Sequence, residues 1–168
     1  MEQKEISCCF TGHRIIFAEE KNKLAEQLFH HVTRLISQGI THFYTGGALG
    51  FDTMAARTIL ALKRQNKAVR LHLILPCKEQ DKSWSASDHF AYQKILWESD
   101  SVEYVSEHYF RGCMHERNRR LVNYTSYCIC YLDKSTGGTA YTVDYAKKNG
   151  VTVINLADHQ PQISFFDY

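Results

Sequence analysis

Four short stretches carry the residue types that could do chemistry: FTGHR at 10–14, TGGALGFD at 45–52, MHERNRR at 114–120 and STGGTAYTVD at 135–144. Gly46, Gly47 and Gly50 strip side chains from a turn, so a ligand can approach backbone amides there. If a helix follows, its first turn adds unpaired N–H groups and the positive end of its dipole, a combination that suits phosphate or another anion. Gly12, His13 and Arg14 offer a second such loop, and Gly137, Gly138 and Thr139 a third. The spacing GGALG is neither GxGxxG nor a Walker loop, and glycine is also the ordinary turn residue. The case for a pocket therefore rests on three loops sharing one edge.

The fourth stretch places Arg117 and Arg120 one helical turn apart, with Glu116 able to pair with Arg120 at i, i+4. An exposed, self-neutralising face is the plain reading, and Asn118 beside the arginines is the feature that points to a ligand. Asp52 in a first helical turn is stabilised by the dipole without any ligand and would repel a nearby phosphate, so its better role is a ribose hydroxyl. Trp84 and Tyr92 could stack a base or simply pack.

These side chains need elements to position them. Apolar runs at 6–11, 42–45, 70–75, 101–105, 127–131 and 151–156 read as strands. Helical spacing reads over 19–38, 50–66, 85–99, 113–123 and 139–149, with Gly39 and Gly150 as stops. In the second helix the inward face is assigned to Phe51, Met54, Ala55, Ile59 and Leu62, and the third strand is expected to stop at Pro76. Strand and helix alternate with connections too long for hairpins. The expected fold is α/β, a Rossmann-like three-layer α/β/α sandwich with a mostly parallel, doubly wound sheet. In such sheets the ligand crevice lies beyond the carboxyl ends of the strands, where all the glycine loops fall.

A chain of 168 residues suits one domain, read here as 1–157 with a polar, turn-rich tail at 158–168. The formal charge is only +2, so affinity for a polyanion would need local clustering, and nucleic-acid binding is not expected. No apolar run is long enough to span a bilayer and no leader pattern opens the chain, so a cytoplasmic protein is expected. The six cysteines form no CxxC pair and the nine histidines no HxxxH pair, so no metal site is expected.

In order and spacing, FTGHR, GGALGFD, Pro76 with Gln80 and Trp84, MHERN and GGTAYTVDYAKKNG resemble the YpsA-like proteins of the SLOG superfamily over nearly the whole chain. The resemblance implies a Rossmann-like domain that binds a nucleotide or nucleotide-derived ligand, with an undefined cellular role. No cofactor is implied, although the pocket could hold a nucleotide, phosphate or sulfate. The superfamily also contains the LOG phosphoribohydrolases and the DNA-processing protein DprA. The LOG resemblance implies an alternative activity, nucleoside-monophosphate N-glycosidase, with Arg117 and Asp144 as catalytic residues. Asp is shorter than the family's Glu, and Thr136, Ala140 and Tyr141 depart from its loop. The DprA resemblance implies a third reading, a DNA-metabolism factor.

The sequence Gln162-Ile-Ser-Phe-Phe resembles a bacterial sliding-clamp docking peptide, with Gln162, Ile163, Phe165 and Phe166 as anchors. Exposed helical faces would also permit a homodimer.

Overall fold

The structure is a computed structural model and describes residues 2–157. The tail anchors Gln162, Ile163, Phe165 and Phe166 lie outside the described residues.

The run SCCFTG forms β1 (Ser7–Gly12), buried along almost its whole length, as an apolar run without alternation requires of a central strand. The helix α1 (Ala18–Ser37) buries Leu24, Leu28, Val32 and Leu35, spaced by three and four residues, and turns its charged faces outward. There follow β2 (His42–Thr45), α2 (Phe51–Gln65), β3 (Arg70–Cys77), α3 (Ala86–Glu98), β4 (Ser101–Ser106), α4 (Cys113–Asn123), β5 (Tyr127–Tyr131), α5 (Gly138–Lys148) and β6 (Thr152–Asn155). Ser85 caps α3, its hydroxyl accepting the Asp88 amide at 3.2 Å.

All six strands are parallel, in the order β4-β3-β2-β1-β5-β6. One face packs under α1, α2 and α3 through Phe10, Leu28, Phe43, Phe51, Ile59 and Leu73. The other packs under α4 and α5 through Cys9, Ile74, Leu121, Val122, Cys128 and Val143. This is the expected α/β sandwich, with a sheet that is parallel throughout.

Two local expectations differ. β3 continues through Pro76 to Cys77, pairing there with β4 alone, because β2 ends opposite Leu73. A residue without an N–H is tolerated where one flank carries no partner. On α2, Met54 is only half-buried, while Ala56 and Leu60 join the buried face, because Met54 turns toward a cleft above the helix. Among the described residues no helix is long and apolar enough to cross a membrane.

Candidate functional site

The strand order reverses between β1 and β5, since the chain runs outward from β1 to β4 and then returns to the other side. A doubly wound sheet opens a crevice at that point. Here it holds a cleft of ≈ 310 Å³ that brings together Gly12, His13 and Arg14 from the β1 loop and Asp52 from α2. Arg117 and Asn118 of α4 and the Gly137–Thr139 turn complete it.

The floor of the cleft is polar. Arg117 is 6% exposed and donates from Nε to Asn118 Oδ1 at 2.7 Å and from Nη1 to the Gly46 carbonyl at 2.6 Å. That fixes the Asn118 amide, leaving its NH2 beside Gly138. Thr11, Asn118 and Thr139 are 7%, 7% and 9% exposed, and all three line the cleft. Among the described residues nothing accepts from the Asn118 NH2 or bonds the Thr11 and Thr139 hydroxyls. These three groups open onto the cleft, where solvent or a ligand can bond them, whereas among the described residues the enclosed side-chain polar atoms without a partner are Thr45 Oγ1 and Gln80 Oε1. No side chain caps α5 at Gly137, whose carbonyl accepts the Tyr141 amide at 3.0 Å. The earlier first-turn amides are thus left to face the same opening.

Asp52 is buried on the opposite wall. Its Oδ2 accepts the Ala48 amide at 3.1 Å. Burial pushes its carboxyl from 3.8 up to about 6, opposed by the Arg117 guanidinium, the Ala48 hydrogen bond and Arg14. Burial in turn lowers the pKa of Arg117, which the Asp52 charge partly restores. Arg14 is exposed at the mouth, and among the described residues no side chain pairs with it.

The glycines of the 46–50 loop serve packing more than ligand approach. A Cβ on Gly46 would sit 2.4 Å from Arg117 Nη1. One on Gly50, at φ +75°, would sit 2.2 Å from the Arg14 carbonyl oxygen. The amides of this loop are also partly spent: Phe51 donates to the His13 carbonyl at 3.1 Å and Ala48 to Asp52. Gly46 lines neither this cleft nor a second one over α2, which Gly47 and Gly50 border.

His13 Nε2 lies 2.7 Å from the Asp133 carboxylate and its ring packs edge-on against Tyr131, so the imidazole is held toward β5. Asp144 is not brought to the site: its side chain is 64% exposed and pairs with Lys148 at 2.9 Å on the outer face of α5. Glu116 pairs with Arg120 at 2.7 Å as expected, Glu103 joins them, and Arg119 donates to the Tyr141 hydroxyl at 3.1 Å, so of the three arginines only Arg117 reaches the cleft. Trp84 packs edge-on against Tyr92 with centroids 5.0 Å apart, and the Tyr92 hydroxyl accepts from Gln80 at 3.4 Å.

Sequence reasoning missed Thr11, whose signal is its place as the last polar residue before Gly12 at the end of a central strand. Gln80 enters the sequence reading only within the family pattern; the structure gives it a role, donating to the Gly47 carbonyl at 3.1 Å and holding that turn.

Comparison with known proteins adds the family. The YpsA family model, described as the YspA SLOG family, matches residues 8–157. The chain belongs to this family. Its similarity to the uncharacterized SPbeta prophage-derived protein YoqJ of Bacillus subtilis is 30% identity over 139 residues, 75% of this chain and 81% of that one. A UPF0398 protein of Brevibacillus brevis is 21% identical over 136 residues, 77% of this chain and 72% of the relative. Among solved structures, DNA processing protein A of Helicobacter pylori, studied for its single-stranded DNA binding mode, superposes with a TM-score of 0.64 at 18% identity. DprA of Streptococcus pneumoniae superposes with a TM-score of 0.65 at 16% identity. The YpsA-family chain is covered to 89% and 91% in these superpositions but spans only 64% and 50% of those longer proteins, so the likeness is one of fold.

Proposed function

We propose that this SLOG domain binds a nucleotide or nucleotide-derived ligand, seating a phosphoryl group in the cleft between β1 and β5. The observation that carries the reading is the convergence of the Thr11 and Thr139 hydroxyls and the Asn118 NH2, none bonded within the protein among the described residues, at the uncapped N-terminal turn of α5. Together they supply hydroxyl and amide donors suited to phosphate oxygens. Arg14 and Arg117 supply the positive charge, and Asp52, on the opposite wall, suits a ribose hydroxyl.

The test is calorimetric titration and thermal shift with AMP and inorganic phosphate, on the wild type and Thr139→Val. Valine keeps the shape and removes the hydroxyl. AMP should raise the melting temperature of the wild type, and the variant should bind up to about tenfold more weakly, the worth of one neutral hydrogen bond. No response to either probe, or equal affinity in the variant, would count against the reading.

The N-glycosidase alternative loses its geometric support with Asp144 on an exposed helical face, and release of free adenine from AMP, followed by chromatography, is what would restore it. Strand binding is a second reading. The Helicobacter pylori neighbour's single-stranded DNA binding does not favour the expectation, from the +2 charge, that nucleic acid is no partner.

A further inference from the structure

Arg14, Ala48 and Asp52 form one wall of the phosphate cleft and also one wall of a second cleft of ≈ 430 Å³, which lies over α2 and α3. The second cleft differs in character. Its floor is apolar, from Ile16, Met54, Trp84 and Ile95, while exposed Lys21 and Arg57 stand on its rim. Among the described residues Arg14, Lys21 and Arg57 enter no ion pair, whereas Lys63, Arg70 and Arg120 elsewhere are held by carboxylates. The acidic groups facing this cleft are Asp88 and the shared, buried Asp52.

An apolar floor with an aromatic wall suits a flat ring, and unpaired cations beside it suit an anion. Taken singly, each cleft lies in the lower part of the roughly 300–1,000 Å³ range of small-molecule sites. Joined at Arg14, they offer room for two nucleotide-sized parts.

We propose that the ligand is of the dinucleotide class. The first nucleotide lies with its terminal phosphate between β1 and β5, and the bridging phosphate passes Arg14. The second base rests over Met54 and Trp84, with Lys21 and Arg57 neutralising the bridge. This rests on the phosphate reading of the first cleft and adds a second subsite to it.

The experiment is calorimetry with AMP, the 5′-phosphorylated dinucleotide pApA and a 5′-phosphorylated deca-adenylate, on the wild type and on Lys21→Ala/Arg57→Ala. Both changes are on exposed side chains. The wild type should bind pApA about tenfold or more tightly than AMP, a difference of about 1.4 kcal/mol. The double variant should lose that margin while keeping its AMP affinity. Equal affinity for AMP and pApA, or a margin that survives in the double variant, overturns the two-part ligand and leaves the phosphate reading standing. Decamer binding much tighter than pApA overturns it in favour of a strand. Silence with all the probes overturns both readings together.

Discussion

Replacing Asp52 with asparagine keeps the shape of the side chain and an acceptor for the Ala48 amide while removing its titration. The carboxyl has a pKa of about 6 when folded and 3.8 as its ordinary value, because burial disfavours the anion more than Arg117, the Ala48 amide and Arg14 favour it. The folded protein therefore holds this proton more tightly than the unfolded chain does. The associated stability is fully present below pH 3.8, is lost as the pH rises to about 6, and stays lost above. At about 1.4 kcal/mol per pH unit, that displacement amounts to a loss on the order of 3 kcal/mol. A second group titrates in the same window with the opposite sign. Burial and His42 hold His72 down to about 4, so its contribution is gained as the pH rises toward 6.5. The wild-type curve alone is thus a composite, and the difference between Asp52→Asn and wild type isolates Asp52. Urea unfolding at a series of pH values from 4 to 8 should give equal stabilities near pH 4. The variant should then become more stable, by on the order of 3 kcal/mol, by pH 7. A difference that stays flat across this range would refute the assignment of Asp52 as a carboxyl whose charged form the fold disfavours.

Gly50→Ala should destabilise the fold. A side chain at φ +75° costs about 1–3 kcal/mol in backbone strain, and its Cβ, 2.2 Å from the Arg14 carbonyl oxygen, adds about 1–3 kcal/mol of overpacking; an unchanged urea midpoint would contradict this. Asp144→Asn removes an exposed ion pair with Lys148 and should change stability by less than about 0.5 kcal/mol, with AMP affinity unaltered. A severalfold loss of affinity in calorimetry would return Asp144 to the site.

The sequence was most legible where one physical signal dominated. His42–Thr45, Cys113–Asn123 and Tyr127–Tyr131 stand where their apolar runs and helical spacing put them. What could not be read was the long-range consequence of strand order. Only when β5 inserts beside β1 does α4 lie across the sheet so that Arg117, 71 residues from Gly46, can reach that carbonyl. The two glycine-rich turns show the same limit more sharply. GGALG and TGG both announce that a side chain is excluded, yet they exclude it for different reasons. Around Gly46 and Gly50 the protein itself fills the space, with the Arg117 guanidinium and the Arg14 backbone. At Gly137 and Gly138 no clashing protein atom stands where a Cβ would go, the nearest being Asn118 Nδ2 at 3.9 Å from Gly138. Glycine spacing alone cannot separate these cases, because both need the same missing Cβ. The separating observation is the state of the neighbouring polar groups. Beside GGALG, the Ala48 and Phe51 amides are spent on Asp52 and His13, while beside TGG the Asn118 NH2 and the Thr11 and Thr139 hydroxyls open onto the cleft with bonding capacity left over. Free donors beside an uncapped helix N-terminus are what the proposed phosphoryl seat at the β5 turn rests on, with the GGALG loop as the scaffold that holds Arg117 and Asp52 around it.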